Sequence, residues 1–173
     1  MIIIIDGPDL SGKTTAINII SKHFNSGFVL KNSFKPKNKQ NSYDIYNQYW
    51  TIFSMVKELD MLVILDRSFP SQAVYSYLRG QGEMRHVEII SLDKWCVKQE
   101  VKYIYLDTPL EELEKRYDIR GDEHITKEQL ATIKSRYDAF YEQTNMQKMR
   151  LDTMKDGWLK EVEKFIGGTY EIL

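Results

Sequence analysis

Residues 7–14 read Gly7-Pro8-Asp9-Leu10-Ser11-Gly12-Lys13-Thr14, which fits the GxxxxGK(S/T) pattern of a phosphate-binding loop. The loop follows directly on four isoleucines, Ile2–Ile5, which have the composition of a buried parallel strand. Its glycines allow the backbone to curl with its N–H groups turned inward, and a helix is expected to begin near Lys13. In such loops the lysine reaches the β- and γ-phosphates, and the hydroxyl after it ligates Mg²⁺. The stretch therefore predicts a site for ATP or GTP, with contacts from Gly7, Asp9, Ser11, Gly12, Lys13, Thr14 and Thr15.

The alternative to a nucleotide site is a glycine turn between a strand and a helix that binds nothing. With glycine at about 7% of residues, the fixed positions of the pattern match by chance in roughly one percent of chains of this length. The pattern also stands between a strand and a helix, as a phosphate loop requires. We therefore favour the nucleotide site.

Length and composition predict a single α/β domain spanning residues 1–173. The formal net charge of -1 gives no basic footprint, so no nucleic-acid partner is expected. A single cysteine, Cys96, excludes a disulfide framework and favours the cytoplasm, and we interpret it as a core residue. No apolar run approaches the length of a membrane span, and the apolar opening is too short for a signal peptide. The three histidines lack metal-ligand spacing, so no protein-held metal cofactor is expected.

Short apolar strands alternate with amphipathic helices along the chain, which predicts a parallel sheet covered by helices on both faces. Strands are expected near residues 2–5, 28–30, 61–65, 101–106 and 149–152. Helices are expected from Lys13 and near residues 43–59, 70–78, 84–98 and 158–166, with two more on either side of residues 116–125.

The third predicted strand ends in Asp66 and Arg67, at the edge where open α/β sheets bind ligands. Asp66 is suited to organise the Mg²⁺ shell through water, and Arg67 offers a planar fork for a phosphate. The alternative is a surface ion pair at a strand end. The phosphate loop upstream favours the functional interpretation.

The helix over residues 43–59 carries two apolar lines. The first is predicted to face the core and consists of Ile45, Tyr49, Ile52, Val56 and Leu59. Trp50 and Phe53 belong to the second line with Tyr46, which forms either a wider buried face or the wall of a base pocket. On the next helix, Gln72 and Tyr75 are either ordinary helix surface or contacts to a base and a sugar.

Two charged segments lie outside the predicted helices and strands. The loop after the second strand contains Lys35, Lys37 and Lys39, and is either a solvated loop or a source of cations for an anionic substrate. Residues 116–125 contain Arg116 and Arg120 beside Gly121, which predicts a lid that brings arginines to a phosphoryl group. The alternative is a solvated loop between helices.

Two helix starts show the pattern of a capping box. Thr108 and Glu111 flank Pro109 at the first helical position, so capping is a sufficient explanation of that turn. Thr126 and Gln129 mark the start of the helix after the lid. The residues of this helix predicted to face the core are Leu130, Ile133, Tyr137 and Phe140.

The order of three stretches resembles the thymidylate kinase family of nucleoside monophosphate kinases: GPDLSGKTT, then ILDRS with SQAVY after it, then YIYLDTPLEELEKRYDIRGDEH. The resemblance spans most of the chain. It implies a three-layer P-loop kinase fold with a five-stranded parallel sheet in the order 2-3-1-4-5, ATP as donor and a nucleoside monophosphate as acceptor. It implies that Arg67 holds the acceptor phosphate, that Asp9 lies near that phosphate and the sugar, and that Phe53 or Trp50 stacks on the base.

Members of the family place the catalytic arginine either in the phosphate loop or in the lid. Leu10 occupies the loop position here, so the resemblance implies that Arg116 and Arg120 carry the role. The sequence departs from the family at Glu123-His124, where Asp-Arg is common, and in the lysines after the second strand. These departures and the short chain would suit a divergent, viral member.

We therefore expect in-line transfer of the γ-phosphoryl group of Mg·ATP to a deoxynucleoside monophosphate, with dTMP as the first choice. A deoxynucleoside kinase is the nearest alternative, but it needs a carboxylate base after the second strand, and none stands between Lys31 and Tyr43. A nucleotide-dependent ATPase or switch is the lesser alternative, since no Asn-Lys-x-Asp base reader is present. The aromatic-rich helices would suit a homodimer.

Overall fold

A computed structural model describes residues 1–31, 41–79 and 84–167 of the chain. Strands and helices alternate along these residues, largely as the apolar pattern predicts. The order is β1 (Ile2–Asp6), α1 (Lys13–His23), β2 (Phe28–Lys31), α2 (Ser42–Val56), β3 (Val63–Asp66), α3 (Phe69–Arg79), α4 (His86–Lys98), β4 (Lys102–Leu106), α5 (Leu110–Arg120), α6 (Gln129–Gln143), β5 (Gln147–Leu151) and α7 (Trp158–Ile166).

The five strands form one parallel sheet in the order β2-β3-β1-β4-β5, which confirms the expected order. Strand β1 lies at the centre, and all five of its residues are buried. In the register, Asp66 of β3 lies beside Ile5 of β1 on one side and beside Lys31 of β2 on the other. The carboxyl ends of these strands therefore meet at one edge, directly beside the loop that follows β1.

Side chains of β1 alternate between two apolar cores, as the period of a strand requires. Ile2 and Ile4 face a large core built with α2, α3, α4, α5 and α6. Ile3 and Ile5 face a smaller core built with α1 and α7. Cys96 is a free thiol fully buried in the larger core, as expected. Helices thus cover both faces of the sheet, which gives the predicted three-layer fold.

The buried face of helix α2 differs in part from the one that the sequence predicts. Ile45, Tyr49 and Val56 are buried as expected, but Phe53 completes their stripe. Ile52 is only partly buried, and Leu59 is 39% exposed because the helix ends at Val56. The predicted placement of Leu59 in the core face is therefore wrong, whereas Ile52 packs against the larger core from a partly buried position. None of the helices in the described ranges is both long and apolar enough to cross a membrane.

Candidate active site

The phosphate loop joins the end of β1 to the start of α1, and steric limits explain its sequence. A Cβ on Gly7, whose φ is +154°, would lie 2.9 Å from the carbonyl oxygen of Leu106. Gly12 has a φ of +85° directly before α1. Leu10 has a φ of +67°, a left-handed conformation that L-residues seldom adopt. The loop therefore has a tightly specified shape, which is typical of a ligand-binding segment.

Lys13 is buried, and its ammonium group turns back toward the loop. Its Nζ donates hydrogen bonds to the carbonyl oxygens of Gly7 at 2.9 Å and Pro8 at 2.5 Å. Burial, with the nearby charge of Arg67, lowers the pKa of Lys13 to about 7, although the surrounding carboxylates oppose this shift. A bound phosphate would supply the negative charge that restores its protonated form.

Asp6 is the buried centre of the polar groups behind the loop. Its carboxylate accepts hydrogen bonds from the Gly7 N–H at 2.8 Å, the Ser71 N–H at 3.0 Å, the Ser71 hydroxyl at 2.6 Å and the Tyr137 hydroxyl at 2.8 Å. Burial raises the pKa of Asp6 despite the charge of Arg67, whose Nη1 lies 3.9 Å away. Asp6 thereby connects β1 to α3 and α6.

Arg67 follows β3 with a left-handed backbone, φ +67°, and its side chain is held from two directions. Nη2 forms a short ion pair with the Asp9 carboxylate. Nη1 donates to the hydroxyls of Ser71 and Tyr137, each at 3.1 Å. Tyr75 accepts a hydrogen bond from the Asp9 N–H at 3.1 Å, and its ring centroid lies 5.1 Å from the Arg67 guanidinium carbon.

The ion pair with Arg67 also determines the ionisation of Asp9. Burial favours the neutral acid, but the charges of Arg67 and Lys13 outweigh burial and hold the pKa of Asp9 below its ordinary value. Asp9 is therefore a carboxylate at neutral pH and keeps the guanidinium beside the phosphate loop.

Arg116 and Arg120 lie in the last turns of α5, the predicted start of the lid. Nη1 of Arg116 donates to the Leu10 carbonyl at 2.9 Å, and its Nε donates to Glu112 at 2.8 Å. Arg120 is exposed, and Gly121 ends the helix with a φ of +68°. Arg116 therefore contacts the backbone of the phosphate loop at Leu10.

These segments enclose one cavity of about 480 Å³. Nine of the predicted site residues line it: Asp9, Gly12, Lys13, Thr14, Thr15, Asp66, Arg67, Arg116 and Arg120. Lys31 and Asp122 also line it and were missed by the sequence prediction. Lys31 could have been found, because it ends a parallel strand at the same edge as Asp66.

The other predicted site residues within the described ranges do not line this cavity. Gly7 and Ser11 support the loop, and Ser11 Oγ is buried without a hydrogen-bond partner among the described residues. Gln72 and Tyr75 are 3% and 6% exposed, so the interpretation as ordinary helix surface is wrong. Lys35 lies outside the described residues, as does most of its loop.

The two aromatic candidates for base stacking differ in accessibility. Phe53 is fully buried and stacks parallel on Trp95 with a centroid distance of 4.8 Å, so it offers no open face to a base. The prediction of Phe53 as a base-stacking residue is corrected accordingly, because its ring completes the core face of α2. Trp50 is half-buried and meets Trp95 edge-on at 6.0 Å.

Thr108 has a role that the capping pattern does not predict. Its hydroxyl donates to the Ser11 carbonyl oxygen at 3.2 Å, and both residues are buried. Helix α5 begins at Leu110 with Pro109 at its N-cap and no side-chain capping bond. The capping interpretation of Thr108 is therefore wrong, and Thr108 instead ties β4 to the phosphate loop. At the other predicted box, the Gln129 side chain does accept from the Thr126 N–H at 2.9 Å.

The donor set fits a magnesium ion that arrives with a nucleotide. Thr14 and Asp66 line the same cavity and supply one hydroxyl and one carboxylate. Mg²⁺ bound in this way takes its other ligands from phosphates and water. Within the described ranges, no cluster of three or more His, Cys, Asp or Glu side chains is arranged to hold a metal.

Comparison with solved structures identifies proteins of the same fold. The YorR protein of Bacillus subtilis, in complex with phosphorylated GDP, matches with a TM-score of 0.76 at 21% identity over 96% of this chain and 94% of that chain. Deoxyadenosine kinase from M. mycoides, with dCMP and dCDP bound, matches with a TM-score of 0.58 at 18% identity over 96% and 97%. The same enzyme with dATP matches with a TM-score of 0.57 at 21% identity over 96% and 99%. No protein-family profile and no curated protein sequence matches the chain.

Proposed function

We propose that the protein is a kinase that transfers the γ-phosphoryl group of Mg·ATP to a deoxynucleoside monophosphate, with dTMP as the preferred acceptor. The observation that carries this proposal is the cavity lined by the phosphate loop together with Arg67, Arg116 and Arg120. Phosphoryl transfer depends on cations around the equatorial oxygens and on alignment of donor and acceptor. The cavity supplies cations in Lys13 and the three arginines, and the phosphate loop and Arg67 would align the donor and the acceptor.

On the donor side, the loop amides and Lys13 bind the phosphates of ATP. Thr14 and Asp66 would hold a Mg²⁺ ion that arrives with ATP, Asp66 partly through water, and the ion would supply positive charge to the phosphates. Arg116 and Arg120 contact the transferred group from the lid, and closure of the lid excludes water from it. Arg116 already contacts the loop through Leu10.

On the acceptor side, Arg67 holds the α-phosphate, and Asp9 orients Arg67. A monophosphate oxygen is already anionic, so no strong general base is needed and positioning supplies the catalysis. Lys31 adds a cation to the cavity wall, which favours an anionic acceptor. Lys35 and Trp50 remain proposed contacts to the nucleoside, whereas Gln72 and Tyr75, which are 3% and 6% exposed and lie outside the cavity lining, do not.

A deoxynucleoside kinase is the second candidate, and one feature of the cavity favours it. Asp66 is a carboxylate beside Arg67 in the cavity wall, and a carboxylate there could accept the proton of a 5′-hydroxyl. Deoxyadenosine kinase is also among the proteins of similar fold. Lys31 and Arg67 nevertheless make the acceptor side cationic, which suits a phosphate better than a hydroxyl.

The test is ADP release from Mg·ATP with one acceptor at a time: dTMP, dUMP, dCMP, dGMP, dAMP, AMP and thymidine. We expect rapid turnover with a monophosphate and none with thymidine. Lys13→Ala should abolish turnover, whereas Lys22→Ala should not, because Lys22 is exposed on the same helix. Turnover with thymidine alone would support the second candidate, and acceptor-independent ADP release would contradict both.

A further inference from the structure

We propose that Tyr137, on helix α6, is a positioning residue that orients the guanidinium of Arg67 through its hydroxyl. Tyr137 was predicted only as a core residue, and the ring is fully buried. Its hydroxyl oxygen lies 3.1 Å from Arg67 Nη1, 2.7 Å from Ser71 Oγ and 2.8 Å from Asp6 Oδ1. The catalytic meaning of this contact rests on the proposed function, in which Arg67 holds the acceptor phosphate.

The direction of the hydrogen bonds follows from the charges. The Ser71 and Tyr137 hydroxyls both lie within hydrogen-bond distance of Asp6 Oδ1 and 2.7 Å from each other, so at least one of them donates to Asp6 and the other donates to Asp6 or to its neighbour. Their oxygen lone pairs are then available to Arg67 Nη1, which can only donate. A single buried carboxylate thus aligns two hydroxyls as acceptors for one edge of the guanidinium, while Asp9 binds the Nη2 edge. The plane of the guanidinium is therefore defined from both edges.

Packing keeps Tyr137 in place independently of its hydroxyl. Its ring stacks on Tyr105 with a centroid distance of 5.8 Å and meets Tyr75 edge-on at 6.1 Å. A Tyr137→Phe substitution should therefore keep the fold and remove only the polar contacts. Since α6 begins shortly after the lid segment, this hydroxyl also links the acceptor arginine to the helix that follows the lid.

The matched control is Tyr103→Phe. Tyr103 is also fully buried and packs against Phe140 of α6, but its hydroxyl has no hydrogen-bond partner among the described residues. Tyr137→Phe should raise the KM for the acceptor about tenfold, which is the effect of losing a hydrogen bond to a charged group. The KM for ATP should stay unchanged in both variants.

A second readout separates this inference from the proposed function. NMR signals of the Arg67 side-chain nitrogens report how fast the guanidinium rotates. These signals are assigned by their loss in Arg67→Lys. We expect hindered rotation in the wild type and in Tyr103→Phe, and faster rotation in Tyr137→Phe. Absence of acceptor-dependent turnover in the wild type would refute the proposed function but not the contact between Tyr137 and Arg67. Unchanged Arg67 rotation in Tyr137→Phe, or equal KM effects in both variants, would overturn the positioning role.

Discussion

Substitution of Thr108 by valine should weaken both the fold and the phosphate loop. The side chain is 2% exposed, and its hydroxyl donates to the Ser11 carbonyl across 97 residues of sequence. Valine has nearly the same shape but no donor, so the buried carbonyl loses this bond. Leaving a buried polar group unpaired costs about 1–3 kcal/mol. For a chain of this size, about 1.5 kcal/mol corresponds to a fall in Tm of about 3–6 °C.

The same substitution should lower the affinity for ATP, since Ser11 belongs to the segment that surrounds the phosphates. If the less ordered loop reduces the binding free energy of ATP by about 1.4 kcal/mol, the Kd for ATP rises about tenfold. Urea unfolding measures the stability, and calorimetric titration with ATP measures the Kd.

Thr108→Ser is the matched control for this prediction. Serine loses a methyl group, worth about 0.8 kcal/mol of stability, but retains the donor to Ser11. Its ATP affinity should therefore equal that of the wild type. Equal ATP affinity in wild type and Thr108→Val would refute the reasoning, and so would an equal loss in Thr108→Ser.

Three further predictions concern the loop and its charges. Gly7→Ala should abolish ATP binding and lower Tm by several degrees, because the new Cβ would lie 2.9 Å from the Leu106 carbonyl oxygen; thermal unfolding with and without ATP measures both effects. Asp9→Asn should destabilise the protein at neutral pH, because ionised Asp9 pairs with Arg67. Since the pKa of Asp9 is lower in the folded than in the unfolded protein, its contribution is present above the unfolded pKa and lost as the pH falls through the folded pKa. Urea unfolding at neutral and acid pH should therefore show the difference in stability between wild type and variant vanish in acid. Lys13 has a pKa of about 7 in the free protein, so ATP binding at about pH 8 should take up nearly one proton; calorimetry in buffers of different ionisation enthalpy should detect this uptake, and Lys13→Arg should abolish it.

The sequence predicts most of the fold because its main signals are local. The phosphate loop identifies the β1–α1 junction, and apolar runs place the strands, while the resemblance to thymidylate kinases supplies the strand order. Asp66 and Arg67 could be assigned to the site because the ends of parallel strands share one edge of the sheet.

The polar contacts could not be predicted, because their partners are distant in the chain. The residues around Thr108 match the pattern of a capping box, yet its hydroxyl donates to the carbonyl oxygen of Ser11, 97 residues earlier. The period of α6 identifies Tyr137 as buried, but periodicity does not reveal that its hydroxyl meets Asp6 and Arg67. In α2, adjacent Ile52 and Phe53 differ by about 100° around the helix. Contacts with Phe69 and Trp95, which come from other helices, show that Phe53 faces the core.

The most direct test of the kinase proposal follows the phosphoryl group itself. The protein is incubated with Mg²⁺, ATP labelled in its γ-phosphate and unlabelled dTMP, and the products are separated by chromatography. The account predicts that the label appears in dTDP, and that Arg67→Ala needs far more dTMP to reach the same rate. Label found only in inorganic phosphate would contradict the account. So would a protein that labels no dTDP from dTMP but does label dTMP when thymidine is the acceptor.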